Sequence, residues 1–115
     1  METVRVRLER GPVLCERCEL ATSMGARTKG LLGRSGLEPD QGLWIHPTNS
    51  IHMWFMRFAI DVVWANNEGE VLKLTRAIGP WKIAVCRGAK TALELSAGAI
   101  DACGVEVGDH LVLER

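Results

Sequence analysis

The sequence predicts an α+β fold that is mostly β, with a small curled sheet or barrel-like core of about seven or eight short strands and one helix. Two observations predict it. Apolar residues alternate with polar ones along most of the chain, which is typical of strands with one buried face. Turn signals such as Gly-Pro, Asn-Glu-Gly and Gly-Asp separate these runs. The 115 residues, 1–115, are expected to form a single domain.

The N-terminal part predicts a β-hairpin followed by the helix. Thr3–Arg10 alternates apolar with charged residues, and after a Gly-Pro turn Val13–Leu20 resumes the alternation. These two strands are therefore expected to pair as a hairpin. Thr22 and Ser23 can each cap a helix N-terminus through the hydroxyl group. Met24–Leu32 follows with apolar residues at helical spacing, which makes it the predicted helix.

The rest of the chain predicts further short strands between turns. After a loop at Ser35–Gln41, we expect strands at Gly42–His46, in the central stretch Ser50–Asn66, and at Glu70–Ile78, Ala89–Leu95 and His110–Glu114, with one helical turn at Ala97–Cys103. The sequence has no internal repeat and no low-complexity linker. All of these elements are therefore assigned to the same domain.

The central stretch, SIHMWFMRFAIDVVWAN, is the most apolar of these segments. After His52, its even-numbered positions 54–64 are all apolar, so this face is expected to cover the core. The odd-numbered face carries Arg57 and Asp61 and is expected to be partly wet. In an unbroken strand these two residues lie about 13 Å apart. Either the chain bends near Ala59, or each of the two charged residues has another partner.

Charge and hydropathy exclude several classes of function. Fourteen basic and fourteen acidic side chains cancel, so no long-range field attracts nucleic acid or an acidic membrane surface. The N-terminus lacks the apolar segment of a secretory signal, and no apolar run reaches the roughly 18 residues of a membrane helix. We therefore expect a soluble cytoplasmic protein that has neither nucleic acid nor a membrane as a partner.

The four cysteines are expected to be packing residues: Cys15, Cys18, Cys86 and Cys103. The Cys-x-x-Cys pair alone does not predict a zinc site, because a second pair at suitable spacing is missing. In addition, positions 15 and 18 of an unbroken strand point to opposite faces of the sheet. We therefore predict no metal ligands at these positions and no cofactor.

The chain also contains five sequence blocks that recur together in a known family. They are GLLGR at Gly30–Arg34, SIH-x-x-x-MRF-x-IDVV at Ser50–Val63, Pro80-Trp81, LEL-x-AG at Leu93–Gly98 and Gly108-Asp109. In this order they resemble the DUF192 family, also called UPF0127, whose members are small bacterial and archaeal domains of unknown function. The resemblance implies a compact β-rich domain with one helix. The chain departs from the family pattern at Met53 and Phe55, which replace smaller residues.

A binding module is the function class that the sequence favours. We predict that a small ligand or peptide contacts the polar and bulky members of the central stretch together with one later glutamate: His52, Met53, Phe55, Arg57, Asp61 and Glu94. In this hypothesis Arg57 orients the ligand through its planar guanidinium group. Glu94 is also a candidate ionic partner of Arg57 within the fold.

Two other classes stay open, and so does the oligomeric state. A hydrolase-like enzyme could use His52 as acid or base with Asp61 or Glu94 as its partner, although the sequence contains no recognisable nucleophile motif. A copper or zinc module could use, with or without one of the cysteines, a set of imidazole and thioether ligands that suit Cu(I): His46, His52, Met53 and Met56. The observation that separates these classes is whether His52 and Arg57 share one concave pocket.

Overall fold

The structure is a computed structural model that describes residues 2–115, apart from the side chains of Thr28 and Lys29. Within these residues the chain forms nine strands and two short helices. In chain order they are β1 Thr3–Leu8, β2 Val13–Ala21, α1 Met24–Lys29, β3 Gln41–Ile45, β4 Ser50–His52, β5 Ile60–Ala65, β6 Val71–Ile78, β7 Ile83–Val85, β8 Thr91–Ser96, α2 Ala99–Cys103 and β9 Leu111–Glu114.

Seven of the strands form one curled sheet in the order β6-β5-β8-β3-β2-β1-β9. All neighbours in this sheet are antiparallel except β2 and β3, which are parallel. The two ends of the sheet meet, because Glu70 and His110 form a bridge and the Leu111 amide donates to the Gly69 carbonyl at 2.9 Å. This closure leaves few unpaired edge groups. The predicted α+β, mostly β fold with a barrel-like core is confirmed.

The remaining two strands, β4 and β7, pair antiparallel as a separate ribbon. The β7 strand was not predicted, because its three residues, Ile83–Val85, are too few to produce a recognisable alternation. Both β4 and β7 flank long non-strand segments of the chain. The ribbon therefore adds a second layer that the sequence-based description did not contain.

Strand β5 separates two hydrophobic clusters. Its odd-numbered residues, such as Val63, pack into an inner cluster with β1, β2, β8, β9 and α2. Its even-numbered residues, such as Ile60 and Trp64, pack into an outer cluster with β3, β4 and the segment after α1. All six residues of β5 are buried. The even face covers a core as predicted from Ile60 onward, but the expectation of a partly wet odd face is wrong within β5, because the inner cluster covers it.

The central stretch is not one strand. Strand β4 ends at His52, and a turn follows in which Phe55 adopts a φ of 64°. The predicted bend therefore lies closer to Phe55 than to Ala59. Because the turn reverses the alternation, Met53 is buried whereas Trp54 is exposed. The predicted apolar face at even positions is consequently wrong at Trp54, whereas Met56 is buried in the outer cluster and Phe58 packs against it.

Helix α1 begins as predicted and ends early. The Ser23 Oγ accepts a hydrogen bond from the Ala26 amide at 3.1 Å, so Ser23 is the N-cap. Gly30 then takes a φ of 49° and its amide donates to the Ala26 carbonyl. This glycine ends the helix at Lys29 rather than at Leu32.

The prediction that Cys15 and Cys18 lie on opposite faces is wrong. In the pairing of β1 with β2, Val4 is opposite Cys18 and Val6 is opposite Cys15, so three steps of β2 match two steps of β1. This bulge turns both thiols into the inner cluster. A hydrogen bond with Cys15, together with burial, raises the pKa of the Cys18 thiol. All four cysteines are free thiols; Cys15, Cys18 and Cys86 are buried, whereas Cys103 is half-buried.

Candidate functional site

A pocket of about 200 Å³ opens on the outer face of the sheet, between the segment that follows α1 and strand β4. About half of its wall is apolar and consists of Leu31, Leu32, Ile45, Ile51, Met53 and Met56. Arg27, Thr48, Ser50 and His52 supply polar groups to the same pocket, and Glu94 supplies a carboxyl group. An apolar concavity with a few polar groups is the usual form of a small-molecule site.

Glu94 lies in the middle of β8, where it is placed opposite Leu43 of β3 and Val62 of β5. Leu93 and Leu95 pack into the inner cluster, so the alternation of the strand directs Glu94 to the outer face and the pocket. The side chain is only 5% exposed. Among the side chains that the structure describes, none donates a hydrogen bond to this carboxylate.

Burial determines the protonation of Glu94. Loss of hydration raises the pKa of its carboxyl group to about 7, against a smaller opposing effect of the Arg34 guanidinium. Arg34 itself forms an ion pair with Glu19. At neutral pH Glu94 is therefore divided between its protonated and ionised forms. It can donate a hydrogen bond in the first form and bind a cation in the second.

The polar groups at the pocket are held by local hydrogen bonds and ring contacts. Arg27 Nη1 donates to the Pro47 carbonyl at 3.0 Å. The Thr48 hydroxyl donates to the Ser50 carbonyl at 2.9 Å. The His52 ring stacks on Trp54 with a centroid separation of 4.7 Å. These contacts fix the side chains around the opening before any ligand arrives, which lowers the entropy that binding would cost.

The structure brings together three of the six residues predicted to bind a ligand. His52, Met53 and Glu94 line the pocket. Phe55 and Arg57 are exposed in the turn region outside it. Arg57 forms no ion pair with a described side chain, so the suggested pairing of Arg57 with Glu94 is wrong. His52 and Arg57 therefore do not share one pocket.

Asp61 has a structural role. Its carboxylate accepts hydrogen bonds from the backbone amides of Ala77 at 2.8 Å, Gly98 at 3.1 Å and Ile100 at 2.9 Å. Gly98 and Ile100 belong to the start of α2, and the N-cap residue of this helix has no side chain that could cap it. Asp61 thus caps α2 from a distant strand. Because both of its oxygens are engaged, Asp61 is not available as a partner for His52.

The sequence-based prediction missed the part of the site that comes from α1 and from the 48–50 segment: Arg27, Leu31, Thr48 and Ser50. The sequence contains one signal that pointed there. The GLLGR block at Gly30–Arg34 resembles a family motif, although its glycines match no phosphate-binding pattern. Nothing in the spacing connects this block with Glu94, which lies some 60 residues later.

No group of three or more His, Cys, Asp or Glu side chains within the described part of the chain could hold a metal ion together. Of the residues considered for copper, His52, Met53 and Met56 line the pocket. His46 lies elsewhere, with its Nδ1 at 2.9 Å from the Thr91 hydroxyl. The four residues therefore do not form one ligand set.

The protonation of Glu94 predicts how stability depends on pH. Its pKa of about 7 in the folded chain exceeds the ordinary value of 4.5, so the folded state holds the proton more tightly than the unfolded state. Below about pH 4.5 Glu94 makes its full contribution to the free energy of unfolding, and this contribution falls as the pH rises through 7. Above this range we expect the free energy of unfolding of wild type to be lower by roughly 3 kcal/mol.

Glu94→Gln should remove this pH dependence, because the amide does not ionise. Urea denaturation at pH 5 and at pH 8.5 measures the difference in free energy of unfolding between wild type and variant at each pH. Glu68→Gln, at an exposed position, is the matched control and should follow wild type. An unchanged difference between wild type and Glu94→Gln at the two pH values would show that Glu94 does not titrate in this range.

The sequence matches the DUF192 family, described as "Uncharacterized ACR", over residues 6–113. It is similar to a UPF0127 protein of Thermococcus sibiricus, with 34% identity over 111 residues that cover 89% of this chain and 69% of the relative. A UPF0127 protein of Pyrococcus furiosus is 46% identical over 67 residues, which cover 57% of each chain. Both relatives are archaeal, and neither name states an activity.

Two crystal structures share the fold. One, from Sinorhizobium meliloti 1021, is named a "putative transcription regulator"; it has a TM-score of 0.83 and 27% identity, and the match covers 97% of this chain and 94% of the other. The second, of a protein of unknown function from Novosphingobium aromaticivorans, has a TM-score of 0.82 and 22% identity, with 96% and 83% covered. At that identity the second likeness concerns the fold alone.

Proposed function

This chain belongs to the DUF192 family, and we propose that it is a binding module for a small ligand that contacts Glu94 in the pocket beside α1. The observation that carries the proposal is a buried carboxyl group that faces a cavity and has no hydrogen-bond donor among the described side chains. Removing a carboxyl group from water is costly. A ligand that donates a hydrogen bond or brings a positive charge to Glu94 would offset part of this cost.

The pocket limits the size and chemistry of that ligand. Its volume of about 200 Å³ is below the range of roughly 300–1,000 Å³ that is usual for larger ligands. Apolar contacts with Leu31, Ile51 and Met53 suit a short hydrocarbon body. An amine or amide at one end would face Glu94, since both groups donate hydrogen bonds and an ammonium also matches the ionised carboxylate.

A hydrolase-like enzyme is the second candidate, because His52 and Glu94 line the same pocket and the pKa of Glu94 is about 7. Such a pair suits acid–base catalysis at neutral pH. Asp61 cannot take part, since backbone amides occupy its carboxylate. Conversion of a bound amide, observed by NMR, would favour the enzyme over the binding module.

No helix among the described residues is long and apolar enough to cross a membrane. We propose a location in the cytoplasm, in agreement with the four free thiols, which are typical of reducing compartments. Detection of the tagged chain in fractionated cells tests this proposal.

A screen of small fragments tests the binding proposal. We expect amines and amides with a short hydrocarbon body to shift the methyl resonances of Ile51, Met53 and Met56, whereas carboxylic acids of the same shape should not. Glu94→Ala should weaken this binding about tenfold or more, as expected for a lost charge-assisted hydrogen bond. Glu68→Ala, a change of the same type at an exposed site, should leave the affinity unchanged.

Two outcomes would contradict the proposal. Fragments that bind the pocket equally well in wild type and in Glu94→Ala would show that the carboxyl group does not recognise the ligand. An equal response to amines and carboxylic acids would show that charge and donor capacity do not matter. In either case thermal melts of the variants establish that the fold is intact.

A further inference from the structure

A second surface lies outside the pocket and is lined by large exposed apolar side chains. This aromatic patch consists of Trp54, Phe55, Trp81, Ile83 and Val85. Phe55 is 71% exposed and Trp81 is 61% exposed. Single exposed apolar residues are ordinary, but five that lie together mark an interaction surface.

Contacts within the fold make this patch continuous. The rings of Phe55 and Trp81 meet edge to face at 4.8 Å. The Trp81 amide donates to the Met53 carbonyl at 2.8 Å, which holds the two turns together. Strand β7 carries Ile83 and Val85 on one face, and Ile83 pairs with His52 of β4. The two turns and the β4–β7 ribbon therefore present one surface.

The backbone at the two turns holds the rings outward. Phe55 has a φ of 64° and Trp81 a φ of 68°. Bulky residues rarely adopt this left-handed conformation, and strain of this kind is concentrated at functional sites. An unstrained turn would have a glycine at such positions. The chain instead places its two most exposed aromatic rings there.

The chain segments that carry the patch have basic side chains and no acidic ones. Residues 41–60 and 71–93 contain no aspartate or glutamate, and they carry six exposed basic residues: Arg57, Lys73, Arg76, Lys82, Arg87 and Lys90. Lys82 lies between Trp81 and Ile83 in the chain, and the Lys73 Nζ donates to the Val85 carbonyl at 2.9 Å. Arg76 is engaged by Asp101. The whole chain is neutral, but the segments that form this patch are basic.

We propose that the aromatic patch associates with an anionic lipid surface. Aromatic and aliphatic side chains flanked by lysine and arginine match the boundary between acyl chains and negatively charged headgroups. The association is peripheral, through side chains at the tips of two turns. The expectation that a membrane is not a partner used the net charge of the whole chain, which does not describe how charge is distributed over the surface.

Other occupants fit the surface less well. A second copy docked by the same face would bring like charges together, which disfavours the contact. Single-stranded nucleic acid needs open aromatic faces for base stacking. Here His52 covers one face of Trp54, Phe55 meets Trp81 edge-on, and the rest of the patch is aliphatic. A protein surface of ordinary composition would bring both signs of charge to a patch whose own chain segments contain only cations.

Vesicle binding of the full chain tests the proposal. We expect sedimentation with vesicles that contain phosphatidylglycerol, no sedimentation with pure phosphatidylcholine, and a blue shift of tryptophan emission on binding. Val85→Ser should weaken the binding, whereas Val107→Ser, the same change at an exposed site outside the patch, should not. Lys82→Gln should weaken it about fivefold, and added salt should weaken it further.

Three results would overturn the proposal. The first is absence of binding to anionic vesicles at low ionic strength. The second is an equal effect of Val85→Ser and Val107→Ser, in variants whose thermal melts match wild type. The third is tighter binding to single-stranded DNA or to poly-glutamate than to the vesicles, which would assign the patch to another class of partner.

Discussion

Asp61→Ala is expected to lower the free energy of unfolding by about 3–5 kcal/mol, because it removes one buried carboxylate and leaves its donors without an acceptor. Three backbone amides lose their partner at once: those of Ala77, Gly98 and Ile100. Asp61 is 1% exposed, so water cannot replace it without opening the structure. The loss also removes the negative charge at the N-terminus of α2.

Urea denaturation measures the effect, and two variants define its cause. Asp61→Asn keeps the shape and one acceptor oxygen, so it should retain part of the stability. Asp101→Ala removes a carboxylate in α2 that is exposed and pairs with Arg76 at the surface, and it should cost less than about 1 kcal/mol. A loss below about 1 kcal/mol for Asp61→Ala would mean that the three amides find other acceptors.

Ile60→Ala is expected to cost about 2–5 kcal/mol through the cavity that it leaves. Ile60 is fully buried at the start of β5 and packs in the outer cluster. The variant removes three carbon atoms from a layer that β4 and the segment after α1 cover. Because β5 is hydrogen bonded on both sides, the backbone cannot move in to fill the space.

Ile83→Ala provides the matched control in the same denaturation experiment. It is the same substitution in another strand, but Ile83 is 60% exposed, so the expected change is within about 0.5 kcal/mol. Equal effects of the two substitutions would show that the outer cluster does not stabilise the fold. The comparison thereby separates burial from the loss of a β-branched residue in a strand.

The candidate site could be predicted in part. The sequence predicts Glu94 as a candidate partner of Arg57 or of His52, and it predicts His52 as the polar member of an otherwise apolar face. Arg57 was expected in the same pocket because it shares the central stretch with His52. The turn at Phe55 separates the two residues, and nothing in the alternation of the stretch indicates where such a turn reverses it.

The sequence by itself determined the fold class and most element positions. The alternation of β1 and β2, the Ser23 cap and the Gly-Asp turn before β9 are local signals, because each depends on residues that are neighbours in the chain. They are correct in the structure to within a few residues. The same local rules identified Ile60 and Trp64 as core residues, since both lie on the apolar face of β5.

The tertiary structure alone decided what covers each face. An alternation with a period of two residues shows which side chains share a face of the strand. It does not show whether that face meets water or a second cluster, as the odd-numbered side of β5 does. The bulge that brings Cys15 and Cys18 together depends on the register of β2 against β1. Likewise, the role of Asp61 depends on amides 16 to 39 residues away. These contacts form only when segments that are distant in the sequence come together in the fold. Local sequence patterns carry no information about which distant segments meet.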